Sequence, residues 1–193
     1  MGQVGPWYSP RNKECHLSAD AAYDLMSGVL ETYSEMEGQP LTEVFLHCRS
    51  SISEEEFQGF RKACPERVKL VGIRVKQEPE IRLYREGCWP VLRGTLWLSS
   101  AREAYLWTHG YKPCLQTYDG LEVPVPLRIT IQHGDADPIQ VASDILGLTK
   151  LNYNSCILGD AQPVTIRFSD AVGDVLVGNP AVNKRSHKFK FYI

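Results

Sequence analysis

The segment EVFLHCRSSISEEEFQGFRKACPERVKLVGIRV, residues 43–75, decides the fold. Its two apolar runs, 43–48 and 69–75, have the length and composition of buried β-strands. Between them, Ser53 and Glu56 form the pattern of a helix capping box, which predicts a helix that ends near Cys64. A strand, a helix and a second strand in this order predict two parallel strands joined by a right-handed crossover.

The flanking sequence extends this pattern to both sides. Apolar side chains recur every three or four positions after Ser18, which predicts a helix with Ser18 as its N-cap. Asp137 and Pro138 predict the N-cap and first residue of a helix through Lys150, and Ser169 is predicted to cap a last helix. Short strands separated by glycine, proline or serine turns are predicted at 81–85, 91–98, 103–108 and 127–133. The chain therefore reads as an α/β domain.

Length and composition indicate one folded domain. The chain has 193 residues, is 43% hydrophobic and carries a net charge of −2. This composition excludes a disordered chain, a collagen-like repeat and a coiled coil, and the charge gives no global basic field for nucleic acid. The apolar runs are too short to cross a bilayer, and the first thirty residues lack the order of a secretory signal. A cytoplasmic location is predicted.

Cysteine, histidine and tryptophan residues are predicted to be structural. The cysteines lie far apart with no C-x-x-C pair, and the histidines show no i, i+4 spacing, so a metal role is not favoured. The six cysteines are predicted to be buried free thiols: Cys15, Cys48, Cys64, Cys88, Cys114 and Cys156. Trp97 and Trp107 are predicted to belong to the core rather than to a base-stacking surface.

Two runs near the C-terminus resemble a known family. LTKLNYN at 148–154 and PVTIRF at 163–168 resemble the C-terminal half of an Argonaute PIWI domain, most similar to that of the long prokaryotic Argonautes. Supporting blocks occur along the chain in the same order as in the family: GPWYSP, EVFLHCRSSISEEEFQGF, LVGIRV, PVLRGT, AYLWTHGY, VPVPLRI and FKFYI. The resemblance implies an RNase H-like PIWI fold, C-terminal portion, with a mixed sheet flanked by helices. Residues 1–193 would form one partial domain, without the upstream strands and the MID, PAZ and N domains.

The resemblance also implies a degenerate cleavage site. Slicing members hold two divalent ions with four side chains, and the third is the aspartate of an Arg-Asp-Gly turn after a strand. This chain has Arg49-Ser50-Ser51 there, and a serine hydroxyl lacks the negative charge that a hard divalent ion requires. The fourth position falls on Asp174, for which an ordinary acidic residue near a helix N-terminus is favoured over a metal ligand. The glutamate position is not placed, Glu14 being only nearby, and a catalytically inactive segment is expected.

Strand binding is the remaining role that the resemblance implies. Lys150, Asn152 and Asn154 offer a cation and two amides to phosphate oxygens and sugars, and Arg167 would face the same region. Asn152 and Asn154 could equally cap the end of the preceding helix. The terminal carboxylate of Ile193 would, as in some members, join a pocket in which Mg²⁺ assists binding of the guide 5′-phosphate. No other cofactor is expected.

The expected function is guide-dependent nucleic-acid binding, with an RNA guide and a DNA target, in defence against invading DNA. Its expected partners are an upstream MID and PIWI portion or a separate effector protein, and no membrane. Two alternatives stay open: a metal-dependent nuclease half-domain completed by an upstream partner, in which Asp174 works with carboxylates from elsewhere, and an interaction module or remnant that binds no nucleic acid. In all cases the strand at 44–46 lacks the central neighbour of an RNase H-like sheet, so docking on a partner or aggregation is expected.

Overall fold

The computed structural model describes residues 8–9, 14–35, 39–118, 120, 122–151 and 159–178. The elements are β1 (Tyr8–Ser9), β2 (Glu14–Cys15), α1 (Ala19–Glu35), β3 (Glu43–Cys48), α2 (Glu54–Ala63), β4 (Lys69–Gln77), β5 (Leu96–Ser100), β6 (Glu103–Leu106), β7 (Leu127–His133), α3 (Pro138–Leu148) and α4 (Val164–Gly178). None of the helices in these ranges is long and apolar enough to span a membrane.

Five strands form one mixed sheet in the order β3-β4-β7-β6-β5. β3 and β4 pair in parallel, as predicted, with Glu43 opposite Lys69 and Cys48 opposite Arg74. The other pairings in this sheet are antiparallel, and β1 and β2 form a separate two-stranded antiparallel pair. The described strands therefore place β3 and β5 at the two edges of the sheet.

Helices cover both faces of the sheet because side chains alternate along each strand. Val71, Ile73 and Val75 of β4 pack in one cluster with apolar residues of β7, α3 and α4. Leu70, which points to the opposite face, packs with α1 and α2. The predicted fold class, a mixed α/β sheet flanked by helices, is confirmed.

The predicted helix starts are confirmed for α1, α2 and α3. Ser18 Oγ accepts a hydrogen bond from the amide of Ala21 at 3.2 Å. Ser53 and Glu56 form the reciprocal capping box at the start of α2. The side chain of Asp137 accepts a hydrogen bond from the amide of Ile139, and α3 ends at Leu148.

Two predicted strands differ from the structure. Residues 81–85 form no strand, and the region 91–98 becomes a strand only from Leu96. A turn interrupts it, because the amide of Thr95 donates to the carbonyl of Leu92 and Gly94 adopts a φ of +90°. Glycine adopts that backbone conformation without strain, so the turn is encoded locally.

The last helix begins earlier than predicted, and the assignment of Ser169 as its N-cap is wrong. The carbonyl of Pro163 accepts hydrogen bonds from the amides of Ile166 and Arg167, so the first turn forms there. Ser169 lies inside α4. Arg167 consequently lies in the first turn of α4.

Burial confirms part of the core prediction. Trp107 is 1% exposed, whereas Trp97, in the edge strand β5, is 50% exposed and does not belong to the core. Cys64 is buried and Cys48 half-buried, but Cys88 and Cys114 are exposed, so the prediction is wrong for those two. Burial, with a smaller effect from Glu56, raises the pKa of the Cys48 thiol to about 11. Cys156 and the side chain of Cys15 lie outside the described part of the chain.

Candidate nucleic-acid interface

The carboxyl end of β3 carries the first cluster of polar contacts, and α4 packs against it. Arg49 Nη1 lies 2.8 Å from Asp170 Oδ2 in an ion pair. His47 Nδ1 lies 3.0 Å from Thr165 Oγ1. Burial lowers the pKa of His47, and the charge of Asp144 opposes this effect. These contacts fix the helix that carries the acidic residues against the strand that leads to Ser50.

The loop that follows β3 is tied to the neighbouring strands. Arg74 Nε donates a hydrogen bond to the carbonyl of Arg49 at 3.1 Å. The amide of Ile52 donates to Gln132 Oε1 at 2.9 Å, and His133 Nε2 lies 2.8 Å from the carbonyl of Ile52. Half-buried Ser50 is therefore held in a loop beside two arginine side chains.

The side chains around this loop are a hydroxyl, two guanidinium groups and one carboxylate, which is paired with Arg49. A two-metal cleavage site uses several carboxylates to hold its divalent ions. Within the ranges that the structure describes, no group of three histidine, cysteine or acidic residues could hold a metal ion.

A second polar cluster forms a groove at the end of α3. The groove has a volume of about 330 Å³. We call it the basic groove, and its lining residues are Arg93, Tyr111, Lys112, Pro113, Cys114 and Lys150. Three of them carry positive charge and none is acidic. The groove can therefore accommodate a polyanion.

Arg93 is the central cation of the basic groove. Its Nη2 donates to Thr149 Oγ1 at 2.5 Å, and Thr149 is completely buried. Its Nε is buried without a hydrogen-bond partner, and burial lowers the pKa of the guanidinium. No carboxylate among the described residues forms an ion pair with it. A cation that is partly removed from water without a counter-charge is unfavourable, so an anionic ligand would stabilise Arg93.

A glycine makes the position of Arg93 possible. Gly159 has a φ of +85°, and a Cβ atom built on it would lie 2.4 Å from Arg93 Nη2. A side chain at this position would therefore collide with the guanidinium and also strain the backbone. The close approach of residue 159 to Arg93 depends on glycine.

The junction between α3 and α4 brings Lys150 and Arg167 into one region. The amide of Asp160 donates to the carbonyl of Thr149 at 2.7 Å, and Asp160 Oδ2 lies 2.7 Å from Arg167 Nη1. Lys150 is exposed and lines the basic groove. Arg167 supports the junction through Asp160, while Lys150 can contact a ligand directly.

Comparison with known proteins identifies the fold. No protein-family model and no curated protein matches the chain at a significant level. Among solved structures, the chain is similar to the Clostridium butyricum Argonaute bound to a guide DNA and a 19-mer target DNA, with 17% identity and a TM-score of 0.68 over 86% of this chain and 21% of that one. The chain has an Argonaute PIWI-like α/β fold.

Two further solved Argonaute structures are similar to the chain. Aa-Ago with externally bound siRNA matches with 18% identity and a TM-score of 0.63, over 82% of this chain and 21% of that one. The crystal structure of the A. aeolicus Argonaute matches with 17% identity and a TM-score of 0.61, over 82% and 22%. The chain thus spans about a fifth of the length of the Argonautes that it matches.

Within this PIWI fold, the predicted site residues have different positions. The acidic residue of α4 at the end of β3 is Asp170, whereas Asp174 lies one helical turn further along and is exposed. Asp170 lies four residues after buried Ile166 and so on the same face of α4. The assignment of Asp174 to the fourth cleavage position stays a prediction.

The other residues considered for the site are either outside the described part of the chain or were not predicted. Asn152, Asn154 and Ile193 lie outside the described residues, so their binding roles stay predictions. Arg93 and Lys112 were not among the residues predicted from the sequence. A signal was present, since Arg93 interrupts an apolar run, and a cation in such a run requires a partner or a ligand.

Proposed function

We propose that this chain is the strand-binding part of a catalytically inactive prokaryotic Argonaute, which binds an RNA guide and a DNA target in the cytoplasm. It would act in defence against invading DNA with an upstream MID and PIWI portion or a separate effector. The observation that carries this proposal is the Arg93 guanidinium, which has no carboxylate partner among the described residues and opens into a groove with Lys112 and Lys150.

A phosphodiester backbone is the ligand that best matches this groove. Guanidinium groups bind phosphate oxygens through paired hydrogen bonds, and lysine ammonium groups neutralise phosphates as point charges. The groove presents three cations and one tyrosine and no acidic side chain. Contacts of this kind position a strand without reading its sequence, which leaves sequence recognition to base pairing.

The solved structures support a nucleic-acid ligand. The Clostridium butyricum Argonaute is bound to a guide DNA and a target DNA, and Aa-Ago to an siRNA. The groove on this chain supplies the chemistry for the same class of ligand.

The absence of cleavage is supported by the charges around Ser50. The carboxylate of Asp170 is paired with Arg49, and Arg74 contacts the same loop. Two guanidinium groups disfavour divalent cations where the cleavage metals would be required.

Titration of a short 5′-phosphorylated RNA at several salt concentrations tests the binding proposal. Arg93→Ala and Lys150→Ala are expected to weaken binding, and Lys150→Ala is expected to reduce the slope of log K against log salt by about 1, because each phosphate contact releases counterions. Lys69→Ala is the matched control, since it removes a lysine that pairs with Glu43 and does not line the groove. A parent chain that does not bind RNA would refute the proposal.

Cleavage assays with Mg²⁺ or Mn²⁺ test the proposal that the chain is catalytically inactive. A complementary DNA target is expected to stay intact with the parent and with Ser50→Asp, because one added carboxylate beside Arg49 and Arg74 does not complete a two-metal site. Turnover by the parent would contradict the inactive assignment, and turnover by Ser50→Asp alone would show that the remaining metal ligands are present.

A further inference from the structure

We propose that an unpaired base of the bound strand stacks on Trp89, beside the basic groove. This inference rests on the proposed function and specifies how the bound strand is held. It concerns a surface that we call the aromatic shelf, formed by Tyr84, Arg85, Trp89 and Tyr111.

The aromatic shelf and the basic groove are continuous because they share Tyr111. The rings of Trp89 and Tyr111 are stacked, with centroids 4.6 Å apart and an angle of 19° between their planes. Arg85 Cζ lies 5.9 Å from the centroid of the Tyr111 ring. Tyr111 also lines the groove with Arg93 and Lys150. The backbone supports this arrangement, since the amide of Tyr111 donates to the carbonyl of Val91 and the amide of Arg93 donates to the carbonyl of Tyr111.

Trp89 has an indole surface available for a ligand. One face of its ring is covered by Tyr111, yet Trp89 remains 40% exposed. It lines a cavity of about 380 Å³ together with Tyr84, which is 74% exposed. Large aromatic side chains usually bury their surface, so an exposed pair around a cavity indicates a binding surface.

The charge around the shelf selects a nucleic acid as the occupant. Arg85 and Glu122 both line the shelf cavity, so the positive charge comes mainly from the three cations of the adjoining groove. Single-stranded nucleic acids bind where a basic groove follows the backbone and aromatic side chains stack on the bases. The combination of cations for phosphates and an indole for a base fits one nucleotide strand that runs from the groove onto the shelf.

The chain offers a matched control for this inference. Trp97 and Tyr105 form a second stacked pair, with centroids 5.0 Å apart, and Trp97 is 50% exposed. Neither residue lines the basic groove or the shelf cavity. Trp97→Ala therefore removes an indole that is at least as exposed as that of Trp89 and lies away from the proposed strand path.

The test measures RNA affinity of the 193-residue chain as a function of salt. Trp89→Ala is expected to lower the affinity for a short single-stranded RNA about tenfold at every salt concentration, because stacking contributes to affinity without releasing counterions. Trp89→Phe is expected to retain most of the affinity, and Trp97→Ala to bind as the parent does. Equal affinity of Trp89→Ala and Trp97→Ala, or a changed salt slope in Trp89→Ala, would overturn the inference.

A second measurement does not depend on any variant being folded. The parent is expected to bind an abasic strand of the same length about tenfold more weakly than the RNA. Equal affinity for the two strands would overturn the stacking inference while leaving the phosphate-binding groove intact. If the parent binds neither strand, the proposed function and this inference both fail, so the two failures are distinguishable.

Discussion

At the scale of single residues, the proposed ligand binding depends on Arg93. Its guanidinium is held by Thr149 in a partly buried position, and burial lowers its pKa because the charged form loses hydration. A structural arginine in such a position usually pairs with a carboxylate, whereas Arg93 faces a groove with two lysines. Arg93 retains hydrogen-bonding capacity for an anion, because its Nε has no hydrogen-bond partner.

Gly159→Ala is predicted to weaken RNA binding and to lower the melting temperature. The added Cβ would lie 2.4 Å from Arg93 Nη2, at a backbone φ of +85°. Gly147→Ala in α3 is the matched control, because a Cβ there meets no atom within 4 Å. The control is expected to keep RNA affinity and to gain up to about 1 kcal/mol of stability from its higher helix propensity. Titration and thermal melts check both variants, and unchanged RNA affinity in Gly159→Ala would contradict the role of Arg93.

His47 is predicted to make stability depend on pH below about 6.5. Burial lowers the pKa of His47 in the folded state, so the unfolded chain binds more protons between the folded pKa and about 6.5. The contribution of His47 is therefore complete above about pH 6.5 and is lost as the pH falls through this window. Melting temperatures at pH 7.5 and 5.5 should differ more for the parent than for His47→Gln. An equal shift of the melting temperature in the two proteins would show that other titratable groups determine the pH dependence of stability.

At the scale of secondary-structure elements, local signals predicted the structure wherever a side chain caps a helix. The capping box of α2 and the Asp137-Pro138 start of α3 were correct because each satisfies backbone amides through contacts within four residues. The start of α4 was missed because Val164, Thr165 and Ile166 are β-branched and favour a strand. Packing of Val164 and Ile166 in the core overrides this preference.

Asp137→Ala is predicted to cost about 1 kcal/mol of unfolding free energy, because the side chain satisfies an amide at the start of α3. Asp135→Ala is the control, as Asp135 is also exposed and carries the same charge two residues earlier. Urea unfolding measures the difference between the two variants. The cap assignment is wrong if the two midpoints agree.

At the scale of the whole molecule, the sheet ends at β3. The outer edge of β3 has no partner among the described strands, and residues 44–48 are only half-buried. Unpaired strand edges associate with other chains. The expectation that this strand takes a neighbour from an upstream portion stays a prediction.

Gel filtration over a range of protein concentrations tests whether the outer edge of β3 associates with other chains. The purified chain is predicted to elute as a concentration-dependent assembly, because the backbone groups along the outer edge of β3 can pair with another strand. Addition of an upstream PIWI portion, as proposed above, should convert the assembly to a defined complex. Elution of a single monomeric species at all concentrations would contradict the prediction.

The candidate site was only partly predictable for a reason that belongs to the whole fold. Lys150 and Arg167 were predicted as binding residues because the sequence blocks around them resemble the Argonaute family. Arg93 and Lys150 meet only because the loop before β5 lies against the end of α3. No local pattern in the sequence records that contact. The Arg49-Ser50-Ser51 loop could be located from the sequence. The ion pair between Arg49 and Asp170 could not be predicted, because it depends on where α4 packs.

Photo-crosslinking of RNA that contains 4-thiouridine, followed by mass spectrometry of the peptides, locates the bound strand most directly. Crosslinks are predicted in peptides that contain Trp89, Tyr111 and Lys150, and Arg93→Ala should reduce them. Crosslinks confined to the Trp97 and Tyr105 surface or to α1 and α2 would show that the strand binds elsewhere on the molecule.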